Sequence, residues 1–300
     1  MRQRRTYKVA GHLFSIDLPQ DSFLWEKIEL SYGPFEVVSA EDNDCIFSLA
    51  VCERTEAEGA SLVYSNKSDV EPGFVVIEVY ATPEGHYFEL TQPGSPQVNA
   101  RLSITKDFRT AVMTLAGRPV EQWLAFNTSV DFCYLLATAG RNTLLTHASS
   151  VIYEGKAYLF LGKSGTGKST HSRMWQTALE GVTLMNDDHP VLRVEDGTVT
   201  AYGSPWSGKT PCYKNISAPL GGVVRISRAP HNKAVRLSPI QAYASLMTSC
   251  SGMTWDKELA DGKDRTLQGI VSCTPCWVME CLPDEDAAWV CMKAVTSIQK

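Results

Sequence analysis

The run Gly162-Lys-Ser-Gly-Thr-Gly-Lys-Ser169 matches the phosphate-loop pattern G-x-x-x-x-G-K-[ST] at every required position. Glycines allow backbone amides to turn toward phosphate oxygens, and a following helix adds the positive end of its dipole. Lys168 can reach the β- and γ-phosphates, while the Ser169 hydroxyl can ligate a bridging Mg2+. The alternative is a glycine-rich turn. The expected nucleotide-binding residues are Gly162, Lys163, Ser164, Gly165, Thr166, Gly167, Lys168, Ser169 and Thr170.

Two adjacent carboxylates, Asp187 and Asp188, follow the predicted strand Val182–Met185. Strand ends in an open α/β sheet point toward the ligand crevice, so both carboxylates should face the phosphates. One could hold the metal together with Ser169. The other could accept a proton from an attacking hydroxyl, a role favoured if the neighbouring negative charge raises its pKa. An acidic turn or cap is the alternative, and the sequence does not divide the two roles between Asp187 and Asp188.

His147 lies fifteen residues before Gly162, on the predicted strand Thr146–Val151. A single histidine is more often a satisfied core or surface residue than a functional one. Its position ahead of the loop favours a functional interpretation. Together with Lys168, Asp187 and Asp188 it completes the expected catalytic set.

The elements that must position these residues fall into two halves. Residues 1–130 read as a β-rich domain, because β-rich runs alternate with turn clusters. The predicted strands are Tyr7–Ile16, Phe35–Val38, Cys45–Val51, Phe74–Tyr80, Tyr87–Thr91 and Val98–Ile104. A predicted helix, Val120–Ala139, bridges to residues 131–300, a nucleotide-binding domain of the α/β class.

The second half follows a strand, loop, helix, strand order. The apolar run Ala157–Leu161 is typical of a strand buried on both faces of a sheet. The loop is followed by a predicted helix, Lys168–Glu180, with Met174, Ala178 and Leu179 buried. Further predicted elements are strands at Val182–Met185, Gly221–Ile226 and Trp277–Leu282, a helix capped by Ser238, and a final helix capped by Asp284 whose apolar face extends to Ile298.

The segments Thr146-His-Ala-Ser-Ser, Gly162-Lys-Ser-Gly-Thr-Gly-Lys-Ser-Thr and Asn186-Asp-Asp together resemble the catalytic core shared by HPr kinase/phosphorylase and ATP-dependent phosphoenolpyruvate carboxykinase. The resemblance covers about the C-terminal half of the chain. It implies a PCK-like P-loop catalytic domain preceded by a smaller β-rich domain, with ATP and Mg2+ as cofactors. It also implies that His147 is a metal ligand or part of the acid/base apparatus.

The resemblance has departures that bear on the substrate. Only 146 residues precede His147, which is short for the substrate domain of a carboxykinase. Thr170 occupies the position where HPr kinases usually carry an acidic residue. Stand-alone relatives of the HPr kinases are associated with ribosomally made precursor peptides, which keeps a peptide serine among the acceptors.

Composition limits the other function classes. The net charge is −5, and the 28 lysines and arginines are scattered, so we expect no nucleic-acid partner. No apolar run approaches the roughly 20 residues that cross a bilayer and the start lacks an apolar signal core, so we expect a cytoplasmic protein without membrane contact. The nine cysteines are interpreted as reduced thiols, and Cys273, Cys276 and Cys281 as packing residues rather than zinc ligands.

Two further segments are weaker candidates. The turn-rich run Gly203–Pro211 contains Trp206 and Lys209, which suits either a loop that closes over a ligand or an ordinary connection. The segment Arg225–Arg236 concentrates four cations and a histidine, so it supplies either a charge for the transferring phosphoryl or a solvated strand edge. Its better candidates are Arg228 and Arg236.

These observations predict an ATP-dependent phosphotransferase, or kinase, that transfers the γ-phosphoryl to a hydroxyl of a small molecule or of a peptide or protein serine. Two alternatives stay open: a carboxykinase-like lyase and a regulator that senses ATP without turnover. The acceptor, the reverse reaction and a homo-oligomeric state are left open by the sequence.

Overall fold

The chain is a mixed α/β protein with two large sheets, described by a computed structural model over residues 1–38, 44–55, 57–71, 73–208, 210–253 and 255–297. It divides into two compact units. The first comprises Met1–Thr138 and Met253–Lys257, and the second comprises Ala139–Gly252 and Glu258–Lys300. The sequence division at residue 130 lies within a helix, Pro119–Thr138, that belongs wholly to the first unit.

Within the described ranges, the first unit is built on a nine-stranded sheet ordered β3-β1-β2-β4-β9-β8-β7-β6-β5. Its strands are β1 (Arg2–Val9), β2 (His12–Pro19), β3 (Glu36–Val37), β4 (Cys45–Val51), β5 (Ser61–Ser65), β6 (Val76–Thr82), β7 (Gly85–Thr91), β8 (Ala100–Thr105) and β9 (Thr110–Leu115). Its helices are α1 (Leu24–Tyr32), a 3-10 turn (Gly33–Phe35) and α2 (Pro119–Thr138).

The prediction of one strand over Tyr7–Ile16 is wrong. Ala10 and Gly11 both have positive φ angles, 48° and 82°, and form a tight turn that pairs Val9 with His12. Apolar residues stand on both sides of this turn, and it has neither a proline nor an Asn-Gly pair, so the sequence pattern hides the break. The strands β5 and β9 and the helix α1 were also not predicted, whereas the predicted bounds of β4 are confirmed.

The second unit contains a sheet ordered β10-β14-β15-β16-β12-β11-β13, with β18 beside β16 and β17 beside β18. Its strands are β10 (Thr143–Leu145), β11 (Ala148–Tyr153), β12 (Lys156–Leu161), β13 (Thr183–Asp188), β14 (Val191–Glu195), β15 (Thr198–Tyr202), β16 (Ser217–Arg228), β17 (Lys233–Arg236) and β18 (Cys276–Cys281). Its helices are α3 (Lys168–Ala178), α4 (Pro239–Met247), α5 (Lys257–Cys273) and α6 (Glu285–Thr296).

Strand β12 is buried on both faces, as its continuous apolar run predicts. Leu159 and Leu161 pack into one hydrophobic cluster with residues of α4 and α5. Tyr158 and Phe160 point to the opposite cluster, which α3 and α6 cover. The strand is therefore fixed between two cores, and the loop that leaves its end starts from a rigid base.

Helix ends in the second unit follow the sequence signals. Ser238 caps α4 in a reciprocal capping box with Gln241, and the Asp284 side chain accepts the amide of Ala287 at the start of α6. Leu179, directly after α3, is buried as predicted, and within the helix His171 and Trp175 are fully buried, while Met174 and Ala178 are only partly buried.

Of the helices in the described ranges, none combines the length and the apolar character needed to cross a bilayer.

Candidate active site

The strand β11 brings the candidate residues together. It runs antiparallel between β12 and β13, pairing Ala148 with Leu161 on one side and with Asp188 on the other. Its preceding residue, His147, therefore lies between the start of the phosphate loop and the carboxylate pair. The two aspartates were predicted to follow a strand, but they form the last two residues of β13.

The phosphate loop has the backbone that its glycines predict. Gly167 is the N-cap residue of α3 and has a φ of 111°, a region that side chains rarely adopt. A Cβ atom on Gly162 would lie 2.4 Å from the Thr166 hydroxyl oxygen, so the first position also requires glycine. The α3 N-terminus directly follows this turn and presents the positive end of the helix dipole.

The ammonium group of Lys168 connects the loop to the catalytic candidates. Its Nζ donates to the backbone oxygen of Gly162 at 2.9 Å and lies 3.0 Å from Nε2 of His147. Burial lowers the pKa of Lys168, and the negative charges of Asp188 and Asp187 partly oppose this effect. The lysine is thus held within the site at a cost in charge solvation.

His147 is oriented by Asp188. The Nδ1 atom lies 3.1 Å from Oδ1 of Asp188, and the backbone amide of His147 donates to the oxygen of Ser249 at 2.6 Å. A carboxylate accepts hydrogen bonds, so this contact places the imidazole hydrogen on Nδ1 and leaves Nε2 as the acceptor nitrogen. That nitrogen is the one that faces Lys168.

The expectation that a neighbouring charge raises a carboxylate pKa is wrong for Asp188. Burial acts to raise its pKa, but the hydrogen bond from His147 and the electrostatic interactions with His189, His147 and Lys168 outweigh burial. The net pKa of Asp188 lies below its usual value. Asp188 is therefore an ionised partner for cations rather than a proton acceptor tuned toward neutral pH.

The loop after β15 contacts Asp187 and Asp188 and restricts their positions. The Gly208 amide donates to the backbone oxygen of Asp187 at 2.8 Å, and Ser207 forms a β-bridge with Asp188. A Cβ atom on Gly208 would lie 3.3 Å from the Asp188 side chain, so this close approach favours glycine. The indole of Trp206 is 2% exposed and belongs to the core, so it is not placed to cover a ligand. The other residue singled out in this run, Lys209, lies outside the described residues.

A cavity of about 530 Å³ joins these groups. The loop and the start of α3 form one side of it, and His147, Asp187 and Asp188 form another. The cavity also includes Arg173, one helical turn beyond Ser169, whose Nε donates to the backbone oxygen of Ser169 at 3.3 Å. Sequence reasoning passed over Arg173, although an i, i+4 cation after the loop serine is a readable signal.

Two sets of side chains could hold a metal ion. Ser169, Asp187 and Asp188 line the same cavity and offer the hydroxyl and carboxylate oxygens that Mg2+ prefers. His147, Asp188 and His189 have ligand atoms within 4.8 Å of one another, a donor set that suits a softer divalent ion. His189 was not singled out in the sequence, although it follows the aspartate pair directly.

The arginines of the cationic segment from β16 to β17 lie in different environments. Arg228 donates to the backbone oxygen of Gly165 in the phosphate loop. Arg225 instead donates to Ser245 Oγ at 2.6 Å and to Ser249 Oγ at 3.1 Å, beside the backbone contact of His147. Arg236 lies on β17 and pairs with Trp277 of β18. Of the two arginines singled out in the sequence, Arg228 is the one in contact with the loop.

Two of the three cysteines singled out near the C-terminus, Cys276 and Cys281, are buried packing residues. Cys276 and Cys281 are buried, and burial raises the pKa of both thiols, that of Cys276 to about 12. Cys273 is exposed.

Comparison with known proteins does not identify a family for this chain. No family model matches the sequence, and no curated protein matches it. Solved structures that match include the HPr(Ser) kinase/phosphatase from Coxiella burnetii, at 10% sequence identity over 52% of this chain and 99% of that chain, with a TM-score of 0.30. A TM-score this low establishes no shared architecture, so the functional conclusion depends on the geometry of the site.

Proposed function

We propose that residues 162–170 bind ATP with a divalent metal ion, and that the second unit transfers the γ-phosphoryl group to a hydroxyl. The observation that carries this proposal is the contact series from the loop lysine to the carboxylate. Lys168 Nζ lies 3.0 Å from His147 Nε2, and His147 Nδ1 lies 3.1 Å from Asp188 Oδ1. A phosphate-binding cation, a base and an orienting carboxylate therefore adjoin one cavity.

The residues present fit a magnesium ion. The hydroxyl of Ser169 and the carboxylates of Asp187 and Asp188 are hard oxygen donors in the lining of one cavity. When bound there, Mg2+ would neutralise charge on the β- and γ-phosphates. The depressed pKa of Asp188 keeps this donor ionised, as a metal ligand or an orienting group must be.

The same residues can handle the proton of the acceptor. Asp188 holds the Nδ1 hydrogen, so Nε2 of His147 has the free lone pair once Lys168 engages phosphate oxygens. The acceptor oxygen forms a bond to the γ-phosphorus as the bond to the bridging oxygen breaks and ADP leaves. The hydroxyl proton passes to Nε2, and Asp187, 6% exposed and lining the same cavity, is the second candidate for this role.

The acceptor class follows from what the reaction needs: a hydroxyl on a small molecule, or on a peptide or protein serine. The experiment uses ATP labelled at the γ-phosphorus, a panel of such acceptors, and product analysis after prolonged incubation. We expect transfer of label to an acceptor, or slow transfer to water, and loss of both in His147→Gln. Tight ATP binding without any ADP would favour a regulator, and nucleotide-dependent release of carbon dioxide from oxaloacetate would favour a lyase.

A further inference from the structure

Arg225 of β16 is a half-buried cation whose hydrogen bonds, within the described ranges, all go to one segment, residues 245–249. The guanidinium group donates to Ser245 Oγ at 2.6 Å, to Thr248 Oγ1 at 2.8 Å and to Ser249 Oγ at 3.1 Å. It also donates to the backbone oxygen of Ser245. Burial lowers the pKa of Arg225. The cost of burying this charge is therefore offset by hydrogen bonds to the segment 245–249.

The segment 245–249 is the C-terminal end of α4. The helix runs from Pro239 to Met247, and Thr248 is its C-cap residue. The last carbonyl groups of a helix have no partner within it and carry the negative end of the helix dipole, so a cation there is stabilising. This accounts for the position of Arg225 beside the helix end. Arg225 therefore fixes the residues with which α4 ends, including Ser249, which is 6% exposed.

The same end of α4 holds the backbone of His147. The amide of His147 donates to the backbone oxygen of Ser249 at 2.6 Å, and Thr146 forms a β-bridge with Cys250. The pairing of β11 with β12 and with β13 begins only at Ala148. His147 therefore lies outside both ladders, and its backbone position depends on the contact with Ser249 as well as on the strand that follows.

Arg225 reaches this position from the strand beside the phosphate loop. The parallel register of β12 and β16 pairs Arg225 with Leu161, the residue before Gly162. The charge of Arg225 acts to lower the pKa of Lys168, so the two cations lie near one another. Arg225 is nevertheless not among the described residues that line the cavity of about 530 Å³. It is therefore placed to act on the site through the residues that it holds.

We propose that Arg225 is a positioning residue for phosphoryl transfer, which holds the backbone of His147 through Ser249. The Nδ1 atom of the ring then stays directed at Asp188. The inference rests on the proposed function, in which Nε2 of His147 accepts the proton of the attacking hydroxyl. Loss of Arg225 lowers the turnover number, because the ring leaves the geometry that the reaction needs. The affinity for nucleotide changes little, since Lys168 and the loop amides remain.

The test combines two measurements on the full chain. The first is NMR of labelled histidine ring nitrogens at about pH 8, where an ordinary imidazole is neutral, with His147→Gln to assign the His147 signals. The second is ATP turnover, with nucleotide affinity from titration calorimetry. Arg225→Gln removes the charge, and Arg225→Lys keeps it. Ser249→Ala removes one hydrogen bond to Arg225 and leaves the backbone contact with His147.

In Arg225→Gln we expect the His147 ring to lose its preference for a hydrogen on Nδ1. Turnover should fall at least about tenfold, with nucleotide affinity within about threefold of the wild type. Arg225→Lys should recover part of the turnover, and Ser249→Ala should change the ring signals in the same direction by less. The controls are Ser238→Ala, which weakens α4 at its other end, and Arg265→Gln, at an exposed position of α5. Both should keep wild-type ring signals and turnover.

Wild-type ring signals and turnover in a folded Arg225→Gln would overturn the inference. An equal change in Ser238→Ala would also overturn it, because any loss of α4 stability would then act on the site. If Arg225→Gln does not fold, unchanged His147 signals in Ser249→Ala would overturn the inference. A wild-type chain that binds no nucleotide and transfers no phosphoryl group would overturn the proposed function, whereas the His147 signals would still show whether Arg225 holds the ring.

Discussion

Oδ1 of Asp188 lies 3.1 Å from Nδ1 of His147, across two strands that are antiparallel neighbours in the sheet. The register that pairs Ala148 with Asp188 sets this contact, so it is built into the sheet and does not depend on a mobile loop. Because the other ring nitrogen of His147 faces Lys168, a change at Asp188 should alter the imidazole tautomer at the proposed phosphate site.

Replacing Asp188 by asparagine tests this relationship. The amide introduced by Asp188→Asn could donate to Nδ1 and move the ring hydrogen to Nε2, so we expect the turnover number to fall by about 10²–10⁴-fold. Affinity for nucleotide should change much less, since Lys168 and the loop amides remain. The measurements are steady-state kinetics and calorimetry, with Asp196→Asn, at an exposed turn, as the control. Unchanged turnover in Asp188→Asn would show that the contact has no catalytic role.

The burial of His171 predicts a pH dependence of stability. Burial lowers the pKa of His171 to about 4, below the usual value of 6.5. Between these values the unfolded chain binds the proton and the folded chain does not, so the free energy of unfolding falls as pH falls. The difference of about 2.5 pH units corresponds to a contribution of about 3 kcal/mol to the free energy of unfolding. This contribution is lost completely only below pH 4.

Urea unfolding at pH 7 and pH 5 measures this contribution. We expect His171→Gln to lose about 2 kcal/mol less than the wild type over that interval, because glutamine does not titrate. His231→Gln is the control, since His231 is exposed beside Glu280. If the free energy of unfolding fell by the same amount between pH 7 and pH 5 in the wild type and in His171→Gln, this pH dependence could not be assigned to His171.

The close approach of Gly208 predicts a selective kinetic defect. In Gly208→Ala the new methyl group would lie 3.2 Å from the backbone oxygen of Asp187 and 3.3 Å from side-chain carbons of Asp188, which should displace the Asp188 carboxylate. We expect the turnover number to fall by about tenfold or more, with a smaller change in nucleotide affinity. Gly140→Ala is the control, because a methyl group there meets nothing within 4 Å. Equal kinetics for both variants would show that the carboxylates tolerate the added group.

The cap of α4 gives a prediction about stability alone. Ser238→Ala removes an acceptor for the Gln241 amide and should lower the free energy of unfolding by about 1 kcal/mol. Chemical denaturation at pH 7 measures this change, and Ser272→Ala, at an exposed position of α5, should stay within about 0.5 kcal/mol of the wild type. A loss in the control as large as in Ser238→Ala would remove the capping explanation.

The sequence predicts the elements next to the loop and both capped helices of the second unit, because local signals there agree with the tertiary fold, whereas β10, β14, β15, β17 and α5 were not predicted. The apolar run of β12, the loop glycines, and the caps Ser238 and Asp284 all mark element ends by local chemistry. The first unit is harder to predict, since the turn at Ala10 and Gly11 interrupts an apolar alternation without a proline or an Asn-Gly pair.

The candidate site could be predicted as a set of residues but not as a geometry. Loop spacing and the aspartate pair identify Lys168 and Asp188, whereas the contact of His147 with both depends on β11 lying between β12 and β13. Arg173 and Arg225 acquire their positions from the helix turn and from a non-local hydrogen-bond network. Such long-range pairings are not encoded in any short segment of sequence.

The most direct test of the central claim is titration calorimetry of MgATP into the full chain and into Lys168→Ala, at one ionic strength, with Lys156→Ala of β12 as the control. The proposed site predicts binding to the wild type and to the control, and a loss of affinity of at least about 100-fold in Lys168→Ala. No heat of binding in the wild type, or equal affinity in the wild type and Lys168→Ala, would contradict it.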